Sequence, residues 1–367
     1  MITRNSLTIA VVGATGAVGR EFFSILKQRD YHLAGQRVER VLAFASPRSE
    51  GMKISLEGMS SYALEETVCQ VLKPGCFQGV DYAFFDASDA VSKEWVPEAA
   101  RNGAWVIDSS GYFRMDPEVV LGVPEVNGDA IVAQAARGSR IFAGPNCSTV
   151  QLVVALKPIA DRWGLKRVVM SSYQSVSGAG LLASAELKEQ TATKLGFIEK
   201  KLHKEKPVFP HEIAFNCIPQ IGSFITEGDD ADYTSEESKI MAESRKILAL
   251  PHLKISATAI RVPTLSSHSE SVNIETERDF EIPDVRAALA EHPGIRVIDN
   301  PVQKQYPLNT LASGCDTVDV GRIRRDFSVE KGLNLWIVSD NLRKGAALNA
   351  LQIAECVIHY RDSVLKQ

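Results

Sequence analysis

The sequence predicts an α/β protein in which a doubly wound, Rossmann-type dinucleotide-binding domain is followed by an α+β domain with a mixed sheet. In the N-terminal part, short apolar runs alternate with stretches whose apolar residues recur at helical spacing, as in Ala17–Arg29. That alternation is typical of a parallel sheet with helices on both faces. Later in the chain, Ser271–Glu277 alternates polar and apolar residues, which favours a half-exposed antiparallel strand.

The strands of the first domain are predicted from their continuous apolar character. The first is Leu7–Val12, which ends at Gly13 and precedes the helix just named. A second helix is expected at Ser92–Arg101. The remaining strands are expected at Val38–Ala45, Val80–Phe85, Ala104–Ile107 and Ile141–Ala143.

The second domain is predicted to have a less regular order of elements. Strands are expected at Arg167–Tyr173 and Leu335–Val338, and a helix at Leu181–Leu195. An amphipathic helix at about Arg343–Tyr360 closes the chain and is expected to return to the first domain. We therefore divide the chain into residues 1–146, completed by the C-terminal helix at 343–367, and residues 147–342.

Composition excludes several classes of protein. The chain has 367 residues, of which 45% are hydrophobic and 23% charged, as in an ordinary globular protein of two domains. Lys and Arg number 41 against 45 Asp and Glu, a formal net charge of −4. This balance argues against a nucleic-acid partner held by phosphate contacts.

The six cysteines do not form a disulfide framework in so long a chain, and no Cys/His cluster has zinc spacing, so we expect no metal. The apolar run Leu7–Val12 is about half of a signal-peptide core, and no segment approaches the roughly 20 apolar residues of a membrane span. A cytoplasmic protein without a membrane partner is expected.

A glycine turn at the start of the chain predicts a nucleotide site. Gly13, Gly16 and Gly19 stand between the first strand and the first helix. Glycines there permit a tight turn and let the backbone approach a diphosphate, which then lies at the helix N-terminus. The alternative is a purely structural turn, since glycine is common between a strand and a helix.

The second strand discriminates between the two nicotinamide dinucleotides. An NAD site usually places a carboxylate at the carboxyl end of that strand, but the nearby carboxylate, Glu39, precedes the apolar run Val41–Ala45. Ser46-Pro47-Arg48-Ser49 follows the run instead. An arginine with hydroxyls suits a 2′-phosphate, so NADP is the expected cofactor, although Arg48 could also be an ordinary surface residue.

Cys147 is the candidate nucleophile. It follows Asn146, a good N-cap, and precedes the helical run Val150–Trp163, so it should lie in the first helical turn. The positive end of the helix dipole stabilises a thiolate there. Pro158 lies within the run and is expected to kink or shorten the helix.

Three further stretches hold polar residues that a core would not need. They are Ser172–Gly180, Arg261–Glu270 and Ser339–Ala347. With the Asn-Cys-Ser-Thr, Tyr-Gln-x-Val-Ser-Gly-Ala-Gly and His-Ser-Glu segments, the chain closely resembles the aspartate-semialdehyde dehydrogenase family from about Leu7 to Tyr360.

The resemblance implies roles for the reacting and substrate-binding residues. Cys147 matches the nucleophile, His268 the general acid/base and Gln174 the residue that orients the substrate. Arg261 matches the residue holding the substrate carboxylate, and Glu236 the one recognising its amino group. The adjacent Glu237 stays open as an alternative to Glu236.

The resemblance also implies an anion site and cofactor contacts. Arg114 and Lys239 match the phosphate-binding pair. The cofactor contacts match Gly13, Thr15, Gly16, Ala17, Val18, Arg48, Ser49, Ser177, Gly178 and Asn341.

The implied reaction is the NADP-dependent phosphorylating oxidation of aspartate semialdehyde to aspartyl phosphate through a cysteine thioester, with inorganic phosphate as co-substrate. The family serves the reverse direction, in lysine, diaminopimelate, threonine and methionine biosynthesis. A homodimer formed by the second domain, paired in some cases into a tetramer, is also implied.

Two positions depart from the family pattern. Ser109 stands where an asparagine is expected, and Asp86 stands where a small uncharged turn residue is expected. A carboxylate beside the cofactor would disfavour a phosphate nearby unless it points away or is paired. Two alternatives therefore stay open: the related N-acetyl-γ-glutamyl-phosphate reductase, whose nucleophile segment reads Gly-Cys-Tyr-Pro, and a non-catalytic paralogue acting as a binding or structural module.

Overall fold

The computed structural model describes residues 6–56, 66–199 and 206–365. The chain divides into two compact units. The first comprises Met1–Asn146 and Ala346–Gln367, and the second comprises Cys147–Gly345.

The helices and strands divide between the two units. Those of the first unit are β1 (Ser6–Val12), α1 (Ala17–Gln28), β2 (His32–Leu33), β3 (Gln36–Phe44), β4 (Lys53–Ser55), β5 (Glu66–Val68), β6 (Tyr82–Phe85), α2 (Asp89–Arg101), β7 (Trp105–Asp108), α3 (Pro124–Ala136) and β8 (Ile141–Ala143). Those of the second unit are α4 (Cys147–Trp163), β9 (Leu165–Gln174), α5 (Leu181–Lys194), α6 (Ser235–Ile247), β10 (Lys254–Arg261), β11 (His268–Thr276), α7 (Ile282–Glu291), β12 (Ile295–Val297), α8 (Asn309–Ala312), β13 (Val318–Asp326) and β14 (Gly332–Ser339). The last helix, α9 (Leu348–Leu365), belongs to the first unit.

The first unit is built on a sheet with the strand order β2-β3-β1-β6-β7-β8. All neighbouring strands are parallel except β2 and β3. The side chains of Leu7, Ile9 and Val11 on β1 share one apolar cluster with residues of α1 and α9. Helix α2 contacts β6 and β7 with residues outside that cluster. The doubly wound class predicted for this half is confirmed.

The strand order determines where a ligand can bind in the first unit. From β1 the chain continues to β3 on one side of the sheet and later to β6 on the other. Ligands of open α/β sheets bind at such a switch point, beyond the carboxyl ends of the strands. In this chain the switch point is formed by the residues that follow β1 and β6.

The second unit contains a mixed sheet with the order β10-β9-β11-β14-β13-β12. β10 and β9 are parallel, while β11 is antiparallel to both β9 and β14. Helix α4 packs on this sheet, and its residues from Ser148 to Leu156 are all buried. The predicted α+β class with a mixed sheet is confirmed.

Two predictions about helix limits differ in part from the structure. Helix α4 ends at Trp163, as the apolar run predicts, but it is not shortened at Pro158: Ile159 is fully buried, and tertiary packing offsets the one lost backbone hydrogen bond. The closing α-helix begins at Leu348 instead of Arg343, and a π-helical turn occupies Arg343–Ala347. Within that turn, a Cβ on Gly345 would lie 2.9 Å from the Cβ of Cys147, so the backbone passes close to the candidate nucleophile.

Candidate active site

The glycine turn after β1 is shaped by close backbone approaches. Gly13 has a φ of +91°, and a Cβ there would lie 2.0 Å from the carbonyl oxygen of Asp86. A Cβ on Gly19 would lie 2.5 Å from the carbonyl oxygen of Gly13. Gly16 is the N-cap of α1, and no side chain caps that helix. The amides of the first turn, including those of Ala17 and Val18, are therefore placed to bind an anion at the switch point.

The segment after β3 has the character expected for a 2′-phosphate site. A short 3₁₀ turn at Pro47–Ser49 follows the strand, and Arg48 is exposed in it. Thr15 from the glycine turn donates its hydroxyl to Ser49 Oγ at 3.4 Å, which connects the two loops. Glu39 lies in the middle of β3 and is exposed, away from the carboxyl end of the strand.

Asp86 lies at the switch point beside the glycine turn. Its Oδ2 is 3.9 Å from the position of a Cβ on Gly16. The pKa of Asp86 is raised to about 6, mainly by burial; the positive charge of Arg114 opposes the rise, and Asp108 adds to it. The departure at this position thus brings a carboxyl group of unusually high pKa to the predicted diphosphate site, with an arginine nearby.

Ser109 orients Arg114 through its backbone. The guanidinium Nη2 of Arg114 donates to the carbonyl oxygen of Ser109 at 2.6 Å. The preceding Asp108 is fully buried and accepts hydrogen bonds from the hydroxyls of Ser92 at 2.8 Å and Ser110 at 2.6 Å. Because a carbonyl makes this contact, the replacement of the family asparagine by serine leaves the support of Arg114 in place.

Cys147 is the first residue of α4, as the sequence predicts, and Asn146 occupies the N-cap position. Its thiol is partly buried. Arg261 lies near it: burial lowers the pKa of Arg261, while the neighbouring charges of Cys147 and Glu236 raise it. A guanidinium and a helix N-terminus therefore both favour the thiolate form of Cys147.

The ends of β9 and β10 bring Gln174 and Arg261 into register. Gln174 Nε2 donates to Glu236 Oε1 at 3.0 Å and to Ser172 Oγ at 3.2 Å. Arg261 Nη1 donates to the carbonyl oxygen of Ser175 at 2.6 Å. Both side chains are buried, so a substrate with a carboxylate and an amino group would meet fixed partners of opposite charge in Arg261 and Glu236.

His268 begins β11 and is fully buried. The backbone amide of Ser175 donates to its Nδ1 at 3.1 Å. Its Nε2 has no hydrogen-bond partner among the residues that the structure describes. A Cβ on Gly178 would lie 3.3 Å from that nitrogen and 3.2 Å from Arg261 Nη1. Any side chain at position 178 would therefore crowd both His268 and Arg261.

Desolvation and charge keep His268 neutral. Its pKa is lowered to about 3, mainly by burial and in addition by the positive charge of Arg261. A neutral imidazole can accept a proton. This protonation state suits a base that works beside a bound anion.

Asn341 and Ser177, which the family resemblance assigns as cofactor contacts, belong to one hydrogen-bonded network behind His268. Asn341 Oδ1 accepts from the hydroxyls of Ser177 at 3.1 Å and Ser175 at 3.2 Å, and from the amide of Ser267 at 3.0 Å. Asn341 Nδ2 is buried and has no partner in the described part of the chain. That nitrogen remains as a donor for a ligand. The sequence reasoning missed Ser175, although the Ser-x-Ser spacing with Ser177 is a visible signal.

The two candidate glutamates have different surroundings. Glu236 faces Gln174, whereas Glu237 forms a capping box with Thr234 at the start of α6. Lys239 lies one turn after Glu236 on the same helix and is exposed. The structure thus places Glu236, and not Glu237, with Gln174.

Glu270 is a second buried carboxyl that sequence reasoning did not single out. It follows His268 by two residues on β11, has no exposed surface, and burial raises its pKa well above the usual value. The side chain of Gln151, on α4, partly opposes that shift. The raised pKa disfavours a negative charge at this position, two residues from His268.

Residues 6–56, 66–199 and 206–365 contain no group of three or more His, Cys, Asp and Glu side chains arranged to hold a metal ion. No helix within them is long and apolar enough to cross a membrane.

Comparisons with known proteins find one match in each of the two units. Residues 8–134 match the family model described as "Semialdehyde dehydrogenase, NAD binding domain". Residues 156–344 match the model described as "Semialdehyde dehydrogenase, dimerisation domain". The fold and the two matches together define an oxidoreductase with a nicotinamide-dinucleotide-binding domain and a dimerisation domain.

Individual relatives narrow the class. The aspartate-semialdehyde dehydrogenase of Aquifex aeolicus is 46% identical over 95% of this chain and 97% of its own, and that of Bacillus subtilis is 43% identical over 95% and 96%. A crystal structure of aspartate semialdehyde dehydrogenase II from Vibrio cholerae, complexed with ASA, aligns with a TM-score of 0.87 at 39% identity, covering 96% of this chain and 98% of that one. The chain belongs to the aspartate-semialdehyde dehydrogenase family, and the resemblance seen in its motifs is confirmed.

Proposed function

We propose that this chain catalyses the reversible, NADP-dependent phosphorylating oxidation of L-aspartate 4-semialdehyde to L-4-aspartyl phosphate through a thioester on Cys147. The biosynthetic direction is the reduction, which serves lysine, threonine and methionine synthesis. One observation carries the proposal. Within the second unit, a thiol at a helix N-terminus, a buried arginine and a buried neutral histidine come together, with Gln174 and Glu236 beside the arginine.

The substrate is held by opposite charges. The α-carboxylate pairs with Arg261, whose planar guanidinium offers two parallel donors. The ammonium group pairs with Glu236, whose carboxylate is held by Gln174. These two contacts leave the aldehyde end of a four-carbon substrate directed towards Cys147.

The first half-reaction forms and oxidises a hemithioacetal. The Cys147 thiolate adds to the aldehyde carbon, and the resulting alkoxide oxygen takes up a proton from solvent water. His268 Nε2 then removes that hydroxyl proton as a hydride leaves the carbon, which gives the thioester. The bound dinucleotide supplies the hydride acceptor.

The second half-reaction transfers the acyl group to phosphate. A phosphate oxygen attacks the thioester carbonyl, the carbon–sulfur bond breaks, and the Cys147 thiolate leaves. Arg114 and Lys239 are the proposed cations for the phosphate dianion. Arg114 suits this role because its guanidinium is already oriented by the Ser109 carbonyl.

The residues of the first unit fit an NADP molecule. The close approaches at Gly13 and Gly19 leave no room for side chains at the diphosphate site. Arg48, Ser49 and Thr15 meet at the loop where a 2′-phosphate would bind. Ser177, Gly178 and Asn341 are the proposed contacts from the second unit, and the buried Nδ2 of Asn341 offers the donor.

The proposed assembly is a homodimer formed by the second unit, with a tetramer as a further possibility, in the cytoplasm. The description of the matching model as a dimerisation domain supports the dimer. Sedimentation velocity tests this assembly.

A substrate comparison tests the activity. Reduction of NADP should depend on phosphate and should be fast with aspartate semialdehyde. N-acetylglutamate semialdehyde should react poorly, because its acetylated nitrogen carries no charge for Glu236. Preference for the acetylated substrate would favour the N-acetyl-γ-glutamyl-phosphate reductase alternative, and no turnover with either would favour the non-catalytic paralogue.

A further inference from the structure

We propose that Ser175 is a positioning residue that determines which ring nitrogen of His268 carries the proton. This inference rests on the proposed function, because it concerns how His268 acts as acid and base. It starts from two contacts of a single residue. The backbone N–H of Ser175 lies 3.1 Å from His268 Nδ1, and the Ser175 hydroxyl oxygen lies 3.2 Å from the same nitrogen.

The two contacts suit opposite tautomers. The backbone N–H can only donate, so it requires a lone pair on Nδ1 and leaves the proton on Nε2. A base acting through Nε2 requires the reverse arrangement, with the proton on Nδ1 and the lone pair on Nε2. The same is true of the doubly protonated ring, whose Nδ1–H needs an acceptor.

The Ser175 hydroxyl is held as that acceptor. Asn341 Oδ1 receives the obligatory backbone donor of Ser267 at 3.0 Å, which identifies the atom as the oxygen of the amide. Besides His268 Nδ1 itself, the hydroxyl hydrogen of Ser175 has acceptors in Asn341 Oδ1 at 3.2 Å and Ser177 Oγ at 2.9 Å. When the hydrogen is given to either of these, a lone pair of Ser175 Oγ is available to an N–H on His268 Nδ1.

The site leaves Nε2 free to act. This nitrogen has no partner among the described residues, and a Cβ on Gly178 would lie 3.3 Å from it, so glycine keeps side-chain atoms away from it. Ser175 thus lets Nε2 present a lone pair in the oxidative direction and an N–H in the reductive direction. A serine hydroxyl backed by an amide does here what a carboxylate does for other catalytic histidines, without placing a second negative charge beside the substrate carboxylate.

Ser175→Ala tests the inference by removing the acceptor while keeping the backbone donor. We expect kcat to fall by about 100-fold, the scale of a lost general acid or base, with the KM for the semialdehyde changed less than about threefold. Ser175→Thr, which retains the hydroxyl, should recover most of kcat. Ser269→Ala is the matched control, because Ser269 is a buried neighbour of His268 whose hydroxyl bonds to Asn309 instead.

A spectroscopic measurement separates positioning from a general structural role. In protein labelled with ¹⁵N-histidine, the signal absent from His268→Asn identifies His268. Its nitrogen shifts should report a population with the proton on Nδ1 in the wild type, and only the Nε2–H tautomer in Ser175→Ala. Identical shifts in the two proteins, or a Ser175→Ala kcat equal to that of Ser269→Ala, would overturn the inference. The tautomer readout needs no substrate, so it distinguishes this failure from a failure of the proposed function.

Discussion

The side chain of Gln174 donates a hydrogen bond to Glu236 Oε1 at 3.0 Å, across the gap between β9 and α6. The neighbouring carboxylate makes different contacts. Glu237 Oε2 accepts from the backbone amide of Thr234 at 2.7 Å, and its Oε1 accepts from that of Ala259 at 2.9 Å. Two adjacent glutamates thus differ in their contacts, because Glu236 bonds to Gln174, whereas Glu237 caps a helix and ties it to β10.

We expect Glu236→Gln and Glu237→Gln to have separable effects. The first removes the charge proposed for the substrate ammonium, so the KM for aspartate semialdehyde should rise about tenfold or more, with the free energy of unfolding unchanged. The second turns one acceptor into a donor that faces a backbone N–H, so the free energy of unfolding should fall by about 1–2 kcal/mol. Steady-state kinetics and thermal unfolding of both variants check this. The reverse pattern would exchange the two assignments.

Much of this site was predictable because its signals are local. The Cys147 helix start follows from Asn146 and the apolar run, and the glycine turn follows from spacing alone. Thr234 and Glu237 also have the sequence spacing of a capping box, a local signal that distinguishes Glu237 from Glu236.

Other features were not predictable, because they depend on contacts between distant segments. The raised pKa of Asp86 depends mainly on burial, with opposing effects of Arg114 and Asp108, and the environment of His268 depends on Ser175 and Asn341. Helix α4 passes Pro158 because buried packing supports it, which local propensity does not encode.

Arg48→Ala should weaken NADP binding specifically. Loss of one charge-assisted contact to the 2′-phosphate costs about 1.5–3 kcal/mol, which corresponds to about tenfold to hundredfold in affinity. Binding of NAD, which lacks that phosphate, should change little. Calorimetric titration with both cofactors is the measurement. Equal losses for NADP and NAD would show that Arg48 supports the loop and does not recognise the phosphate.

Asp86 should make cofactor binding depend on pH. Its pKa is raised to about 6, so the carboxyl is ionised above that pH and repels a diphosphate at the α1 N-terminus. As the pH falls through 6, protonation removes the repulsion and affinity should rise, by at most about tenfold per pH unit. Arg114 and Asp108 are the charged neighbours that set this pKa.

Asp86→Asn is the control for this effect, because it mimics the protonated form. Dissociation constants of NADP from pH 5 to 8 should converge for the two proteins at low pH and diverge at high pH, with the wild type weaker. Parallel profiles would place Asp86 outside the diphosphate site. Taking the difference between the two proteins cancels the titration of the cofactor's own phosphate.

The two anion-binding arginines should affect different half-reactions. Arg261→Lys retains the charge but loses the bidentate fork, so kcat/KM for the semialdehyde should fall and the first-turnover burst of NADPH should slow. Arg114→Ala should keep that burst and slow the phosphate-dependent step, or raise the KM for phosphate. Rapid mixing with and without phosphate distinguishes the two half-reactions. A lost burst in Arg114→Ala, or an unchanged kcat/KM and burst rate in Arg261→Lys, would contradict the assignment.

The central claim is that Cys147 carries the acyl group. The most direct measurement mixes the protein with NADP and aspartate semialdehyde in the absence of phosphate, followed by acid quench and peptide mass spectrometry. We expect one acyl group per chain on the peptide containing Cys147, matched by one equivalent of NADPH. In Cys147→Ala both should be absent, while NADP binding persists. An acyl adduct on another residue, or an undiminished burst in Cys147→Ala, would contradict the account.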